Sequence, residues 1–158
     1  MIGQTYPFLS EDYIPATGEL FFTFLSQGDQ VIPKLIAYTP IEKGGRKYFN
    51  WGFGDLVIDE TTGEYRIDDK AESNNGDVKT VFYTVVSTLS DFFELHPDAT
   101  VYIQGSTRQR LSVYKGLILR HWKHIEPFYD VKGSIGGKIE FFQPGTAFEY
   151  LLISLRKS

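Results

Sequence analysis

The sequence predicts an α+β domain, a mostly antiparallel sheet with two helices packed on one face, in the order strands, helix, strand, helix, strands. Three observations predict it. Residues up to about 70 alternate short apolar runs with Gly and Asp turns. Residues 78–95 carry apolar side chains at the helical period. Residues 128–155 return to extended aromatic and β-branched runs, broken by Gly133, Gly136-Gly137 and Pro144-Gly145.

The first strand in this reading is 20–25, Leu-Phe-Phe-Thr-Phe-Leu, closed by Gly28-Asp29. Residues 31–38 form the next, where Pro33 points to an edge strand or a bulge because proline donates no ladder bond. Lys43-Gly44-Gly45 reads as a turn and 47–53 as an aromatic strand. Residues 56–59 and 64–67 flank Glu60-Thr61-Thr62-Gly63, a hairpin pattern with glycine where positive φ is needed. Residues 68–77 are polar and read as a loop.

The first helix spans 78–95 despite its β-branched residues. At about 100° per residue, Val78, Val81, Phe82, Val85, Val86, Leu89, Phe92 and Phe93 share one side, and Tyr83, Thr84, Ser87, Thr88, Ser90, Asp91 and Glu94 the other. Asn75 or Asp77 is placed to cap its start, and His96-Pro97 ends it. A strand over 101–104 and a second helix over 107–124, stopped before Pro127, come next. The remaining strands are expected over 128–132, 138–142 and 148–155. With no repeat, linker or low-complexity segment, residues 1–158 are expected to form one domain.

Aromatic residues, 13 Phe, 10 Tyr and 2 Trp, supply ample material for a core or an interface. The absence of Cys excludes disulfides and thiolate metal sites. The N-terminal residues lack the cationic start and apolar run of a secretory signal, and no apolar run has the length of a membrane helix, so a cytoplasmic protein without membrane association is expected.

The formal net charge of -4 conceals an asymmetry. Residues 99–125 hold Arg108, Arg110, Lys115, Arg120 and Lys123 and no carboxylate, a charge of +5, against -9 for the rest, which carries 11 Lys/Arg and 20 Asp/Glu. A local basic element on an acidic chain suits a bounded anion better than a long duplex. The chain's own carboxylates at Asp55, Asp59, Glu60, Glu64, Asp68, Asp69, Glu72 and Asp77 are the competing partners.

That basic segment opens with Gly105-Ser106-Thr107 between a strand and a helix. Ser106 and Gln109 have capping-box spacing, which accounts for the turn structurally; free amides holding an anion account for it functionally. Arg108 and Arg110 in the first turns oppose the positive end of the helix dipole, so a negative group nearby would offset their cost. The wheel puts Leu111, Tyr114, Ile118, Trp122 and Ile125 on the buried side, with Lys115 on one margin and Arg110 and His121 on the other. Lys115 at a core margin is explained by its stem covering apolar surface or by a partner for its head. The candidate ligand-binding residues are therefore Gly105, Ser106, Thr107, Arg108, Arg110 and Lys115. The turn lacks the spacing of a Walker loop and the three glycines of a dinucleotide fingerprint.

His121 and His124, three apart, could share a zinc ion with His96 or Glu126, but no second ligand pair is visible, and neither a metal nor a cofactor is expected. An acid–base pair of histidines beside Lys115 rests on residue inventory alone, and no catalytic residue is assigned. In the run 48–53, Tyr48, Asn50 and Gly52 alternate with Phe49, Trp51 and Phe53, and the second set reads as core rather than as a base-stacking surface.

Gly76-Asp77 leading into the 81–93 helix, then Pro97, then 101–107 with Arg110 and Tyr114, resembles a family of small single-domain bacterial proteins of unknown function, frequent among Bacteroidota. The resemblance covers chiefly residues 74–133. It implies an intracellular α+β domain, no transferable activity, and a signature at Gly105, Ser106, Thr107, Arg108 and Arg110. Two functional classes follow from the residues. One is a module binding a phosphate-bearing ligand, a nucleotide or a short nucleic acid; the other is a non-enzymatic interaction or structural module, with a protein partner or a homo-oligomer. A hydrolase or nuclease ranks behind both.

Overall fold

A computed structural model describes residues 4–43, 46–68, 75–104 and 108–157, without the side chains of 42, 43, 46, 108–110 and 113. Among these residues it has nine strands and three helices in a mostly antiparallel α+β arrangement. The chain divides into two compact units, Met1–Thr39 with Gly52–Phe92 and Pro40–Trp51 with Phe93–Ser158.

Strands β1 (Phe8–Ile14), β2 (Glu19–Gln27), β3 (Val31–Lys43) and β4 (Arg46–Ile58) are hydrogen-bonded in that order, and β5 (Tyr65–Asp68) pairs with β4; the first unit holds β1, β2, β5, most of β3 and the end of β4. The alternation of β2 decides its inner face: Leu20, Phe22 and Phe24 are buried, and the register sets them against Tyr38, Ile36 and Lys34. Lys34 thus enters a buried row, and Asp55 answers it at 2.5 Å. Pro33 stands opposite Leu25 in a strand that lies between β2 and β4, so the edge reading is corrected. One residue's amide serves only one neighbour, and Pro33 stands near the start of its strand, where a single missing bond is tolerated.

The expected 56–59 strand is the end of the 13-residue β4. The expected hairpin is present, its register sets Leu56 against Ile67 and Ile58 against Tyr65, and Gly63 has φ +73°. Asp59 organises the turn by accepting the amides of Thr61 and Thr62 at 2.8 and 3.1 Å. Strand β1 was not expected, because the 8–14 segment alternates only weakly and most of its residues are exposed.

Helix α1 (Val78–Leu95) has the predicted bounds. Its inner face is wider than the wheel indicated, since Thr84 and Thr88 are fully buried while Val78 is exposed. Their hydroxyls make burial tolerable. Thr84 donates to the Thr80 carbonyl at 2.7 Å and accepts the Tyr6 amide at 2.9 Å. Thr88 donates to the Val85 carbonyl at 2.7 Å, which leaves Tyr38 as donor in their 2.6 Å contact. Tyr38 also stacks on Phe92, with ring centres 4.4 Å apart.

In the second unit, the first part of β4 pairs in parallel with β6 (Thr100–Ile103), followed by β9 (Tyr150–Leu155), β7 (Tyr129–Ile135) and β8 (Lys138–Phe141), all antiparallel. Register sets Phe49, Val101, Ile153 and Val131 side by side, and all four are buried. Phe49 and Trp51 are core, as alternation predicted, while Phe53 of the same set is half-buried. The second expected helix is two pieces, α2 (Arg108–Arg120) and α3 (Trp122–Ile125), so the helix over 107–124 is corrected to a helix broken at His121. The break lets Ile125 remain buried and puts Trp122 against Phe142, ring centres 5.4 Å apart.

Candidate functional site

Helix α2 presents Ser112, Lys115, Gly116 and Leu119 on one stripe, at the spacing that brings residues three and four apart onto a common face. Opposite them runs the connection 142–147, and together they line a concave pocket of about 350 Å³ within the second unit.

The connection is held at both ends. Phe142 continues the β7 ladder, its amide donating to the Val131 carbonyl at 2.9 Å, and its ring stacks between Trp122 and Phe148. Phe148 is buried over Gly133, where a Cβ would fall 2.4 Å from the ring, so glycine is what allows the ring to seat there. The Glu149 amide then donates to the Ser134 carbonyl at 2.8 Å. Between these anchors the chain turns at Pro144-Gly145, where Gly145 has φ +79°.

Lys115 is half-buried at the pocket wall, and its Nζ donates to the Thr146 carbonyl at 3.3 Å, an oxygen that also accepts the Phe148 amide at 3.1 Å. Among the described residues no carboxylate forms an ion pair with it. Gly116 adds room, since nothing lies within 4 Å of a Cβ built on it. The arrangement offers one cation, the hydroxyls of Ser112 and Thr146, and the Phe142 ring to a small molecule.

Of the residues expected at the site, Lys115 lines this pocket. Gly105, Ser106 and Thr107 lie outside the described residues, and so do the side chains of Arg108 and Arg110 and the capping box. The α2 backbone separates Arg110 from Lys115 by about 140° of helix rotation, so their positions are on different faces. Ser112, Gly116 and the 142–147 connection were missed. The sequence signal was Gly116, a glycine inside a helix with no packing reason to be small, whereas Pro144-Gly145 read only as a strand break.

Asp55, Asp59 and Asp77, among the competing carboxylates, have partners of their own within the first unit. Asp55 holds Lys34, and Asp77 accepts Tyr6 Oη at 2.6 Å and Ser26 Oγ at 2.5 Å. Asp59 is held below the ordinary aspartate range by the Thr62 and Thr61 amides. Burial, then the Asp77 contact, raises the Tyr6 phenol.

His121 precedes α3 and is half-buried, His124 is exposed, and His96 packs on Phe49 with ring centres 4.7 Å apart. Among the described residues no three His, Asp or Glu side chains gather as a metal-binding group. No described helix is long and apolar enough to cross a membrane.

The chain matches no curated protein and no solved structure. A family profile does match, and it runs well beyond the 74–133 segment, over residues 5–156. The first strands and the last are therefore part of the shared pattern, and the protein belongs to DUF6934, a family of unknown function.

Proposed function

We propose that the protein is a binding module for a small anionic ligand, a nucleotide or another phosphate-bearing molecule, received in the pocket between α2 and the 142–147 connection. The observation that carries this reading is Lys115: a half-buried ammonium on a concave wall, whose described contact is a carbonyl rather than a carboxylate. A carbonyl leaves the unit charge uncompensated, and partial burial strengthens its attraction for an anion relative to open water.

Two features of the sequence support the same site. Arg108 precedes Lys115 by seven residues, about 20° away on a helix, with Ser112 between them on the stripe. Residues 99–125 contain no carboxylate to compete with a ligand. In this reading Gly105, Ser106 and Thr107 contribute amides at the start of α2, and Arg110 contributes to the surrounding field rather than to direct contact. Such ligands abound in the cytoplasm, the compartment expected from the sequence. No catalytic role is assigned.

Calorimetric titration with inorganic phosphate and with adenosine monophosphate, at low and high salt, tests the proposal. Binding should weaken as salt rises, fall about tenfold or more in Lys115→Met, and fall in Arg108→Ala/Arg110→Ala, with the fold intact by circular dichroism. Methionine keeps an apolar stem over the pocket wall and removes the ammonium. Unchanged affinity in Lys115→Met, or no binding at millimolar ligand, rejects the reading.

A further inference from the structure

Strand β8 (Lys138–Phe141) is the last strand in the hydrogen-bonded order, with β7 on one side and, among the described residues, no strand on the other. It exposes two large apolar side chains on one face, Ile139 at 48% and Phe141 at 64%, which is unusual for so short an edge. Phe141 lies beneath the Lys132 ammonium, 5.1 Å from its ring centre.

The hairpin decides which backbone groups the edge offers. Gly136 and Gly137, both at positive φ, form a two-residue turn, and Ile135 pairs with Lys138. In an antiparallel ladder, residues alternate between bonding inward and outward. The Phe142 amide bonds to Val131, so the even-numbered residues point their amides and carbonyls toward β7. Ile139 and Phe141 therefore offer theirs to the free edge.

We infer that β8 pairs with β8 of a second copy of this chain, antiparallel, about a two-fold axis at Ile139. Outward groups must meet outward groups, which leaves four symmetric registers, centred on residue 138, 139, 140 or 141. Centring on 138 sets Lys138 against its own copy, a like-charge repulsion. Centring on 140 sets Glu140 against its own copy, a like-charge repulsion. Centring on 141 puts Glu140 opposite Phe142 and leaves Lys138 without a β8 residue opposite it. Centring on 139 sets Lys138 against the partner's Glu140, twice by symmetry, in non-hydrogen-bonded positions where side chains come closest. The same register brings Ile139 against its copy and sets each Phe141 opposite a glycine, Gly137, which leaves room for the ring. The order Lys-Ile-Glu is self-complementary only in this register, and it identifies the occupant as another copy of the chain. Of the pocket residues only Phe142 enters the argument, through the amide that fixes the parity of β8, and the pairing stands apart from the ligand reading.

Sedimentation equilibrium over a range of protein concentrations tests it. The wild type should show a monomer–dimer equilibrium. Lys138→Glu and Glu140→Lys should each weaken dimerisation roughly tenfold, and the double exchange Lys138→Glu/Glu140→Lys should restore it, because the reversed charges again face each other. Ile139→Pro removes an outward amide that β7 does not use and should yield a monomer. A wild type that remains monomeric at the highest concentration, or a dimer indifferent to both single reversals, overturns the inference. The charge exchange decides the matter even if the proline variant fails to fold.

Discussion

Gly28 lies so close to Asn75 that a Cβ on the glycine would fall 1.7 Å from the Asn75 carbonyl oxygen. The contact belongs to a polar clamp in the first unit. Asn75 accepts the Asp29 amide on its carbonyl and the Gln30 amide on its side chain, and its Nδ2 donates to the Gln30 carbonyl and to Ser26 Oγ. Ser26 in turn donates to Asp77, the residue just before α1. The turn after β2 and the approach to α1 are thereby fastened together through nearly saturated buried groups.

Gly28→Ala should destabilise the protein by about 3 kcal/mol, the upper range for forcing an extra methyl into a packed site, because the obstruction is backbone and cannot rotate away. Urea unfolding measures it. A loss under about 1 kcal/mol would show that the turn yields easily.

Gly116→Ala is the opposite case. Open space surrounds the added methyl, and alanine is about 1 kcal/mol better than glycine inside a helix. Stability should rise by up to that amount, while the pocket wall gains a methyl group. Denaturation together with phosphate titration checks both effects, and a stabilised variant with weaker binding is the expected result.

Asp55→Ala should cost about 3 kcal/mol, since it removes the carboxylate that meets the Lys34 ammonium at 2.5 Å in a buried row. The double variant Lys34→Met/Asp55→Leu should recover most of this loss, because two well-packed apolar groups need no pairing. A double-mutant cycle in urea reads the coupling.

Asp59 should titrate below the ordinary 3.8 of an aspartate, because the Thr62 and Thr61 amides stabilise its charged form. A depressed folded-state value means that the turn's contribution is present above the unfolded value and is lost as pH falls through the folded one. Carboxyl NMR titration checks the value. Asp59→Asn should show less acid dependence of stability in that window.

Element type was legible in the chain wherever a period repeated. Helix α1 has its predicted ends, and the predicted hairpin turns at Gly63 with positive φ, because an 18-residue apolar stripe and a turn glycine are local signals. Boundaries failed where neighbours intervene. Thr84 and Thr88 read as solvent-facing, yet they are buried because Tyr6 and Tyr38, distant in sequence, complete their hydrogen bonds.

The candidate site divides in the same way. The chain alone determined that residues 99–125 are basic and free of carboxylates, that Lys115 stands at an apolar margin, and that the protein is α+β. Only the tertiary structure decided that the 142–147 connection forms the facing wall, that Thr146 receives the Lys115 ammonium, and that β8 ends its sheet. Charge and periodicity are carried by adjacent residues and survive in one dimension. A pocket or an edge exists only once segments some thirty residues apart, such as Lys115 and Thr146, have been brought within bonding distance by the sheet that anchors them.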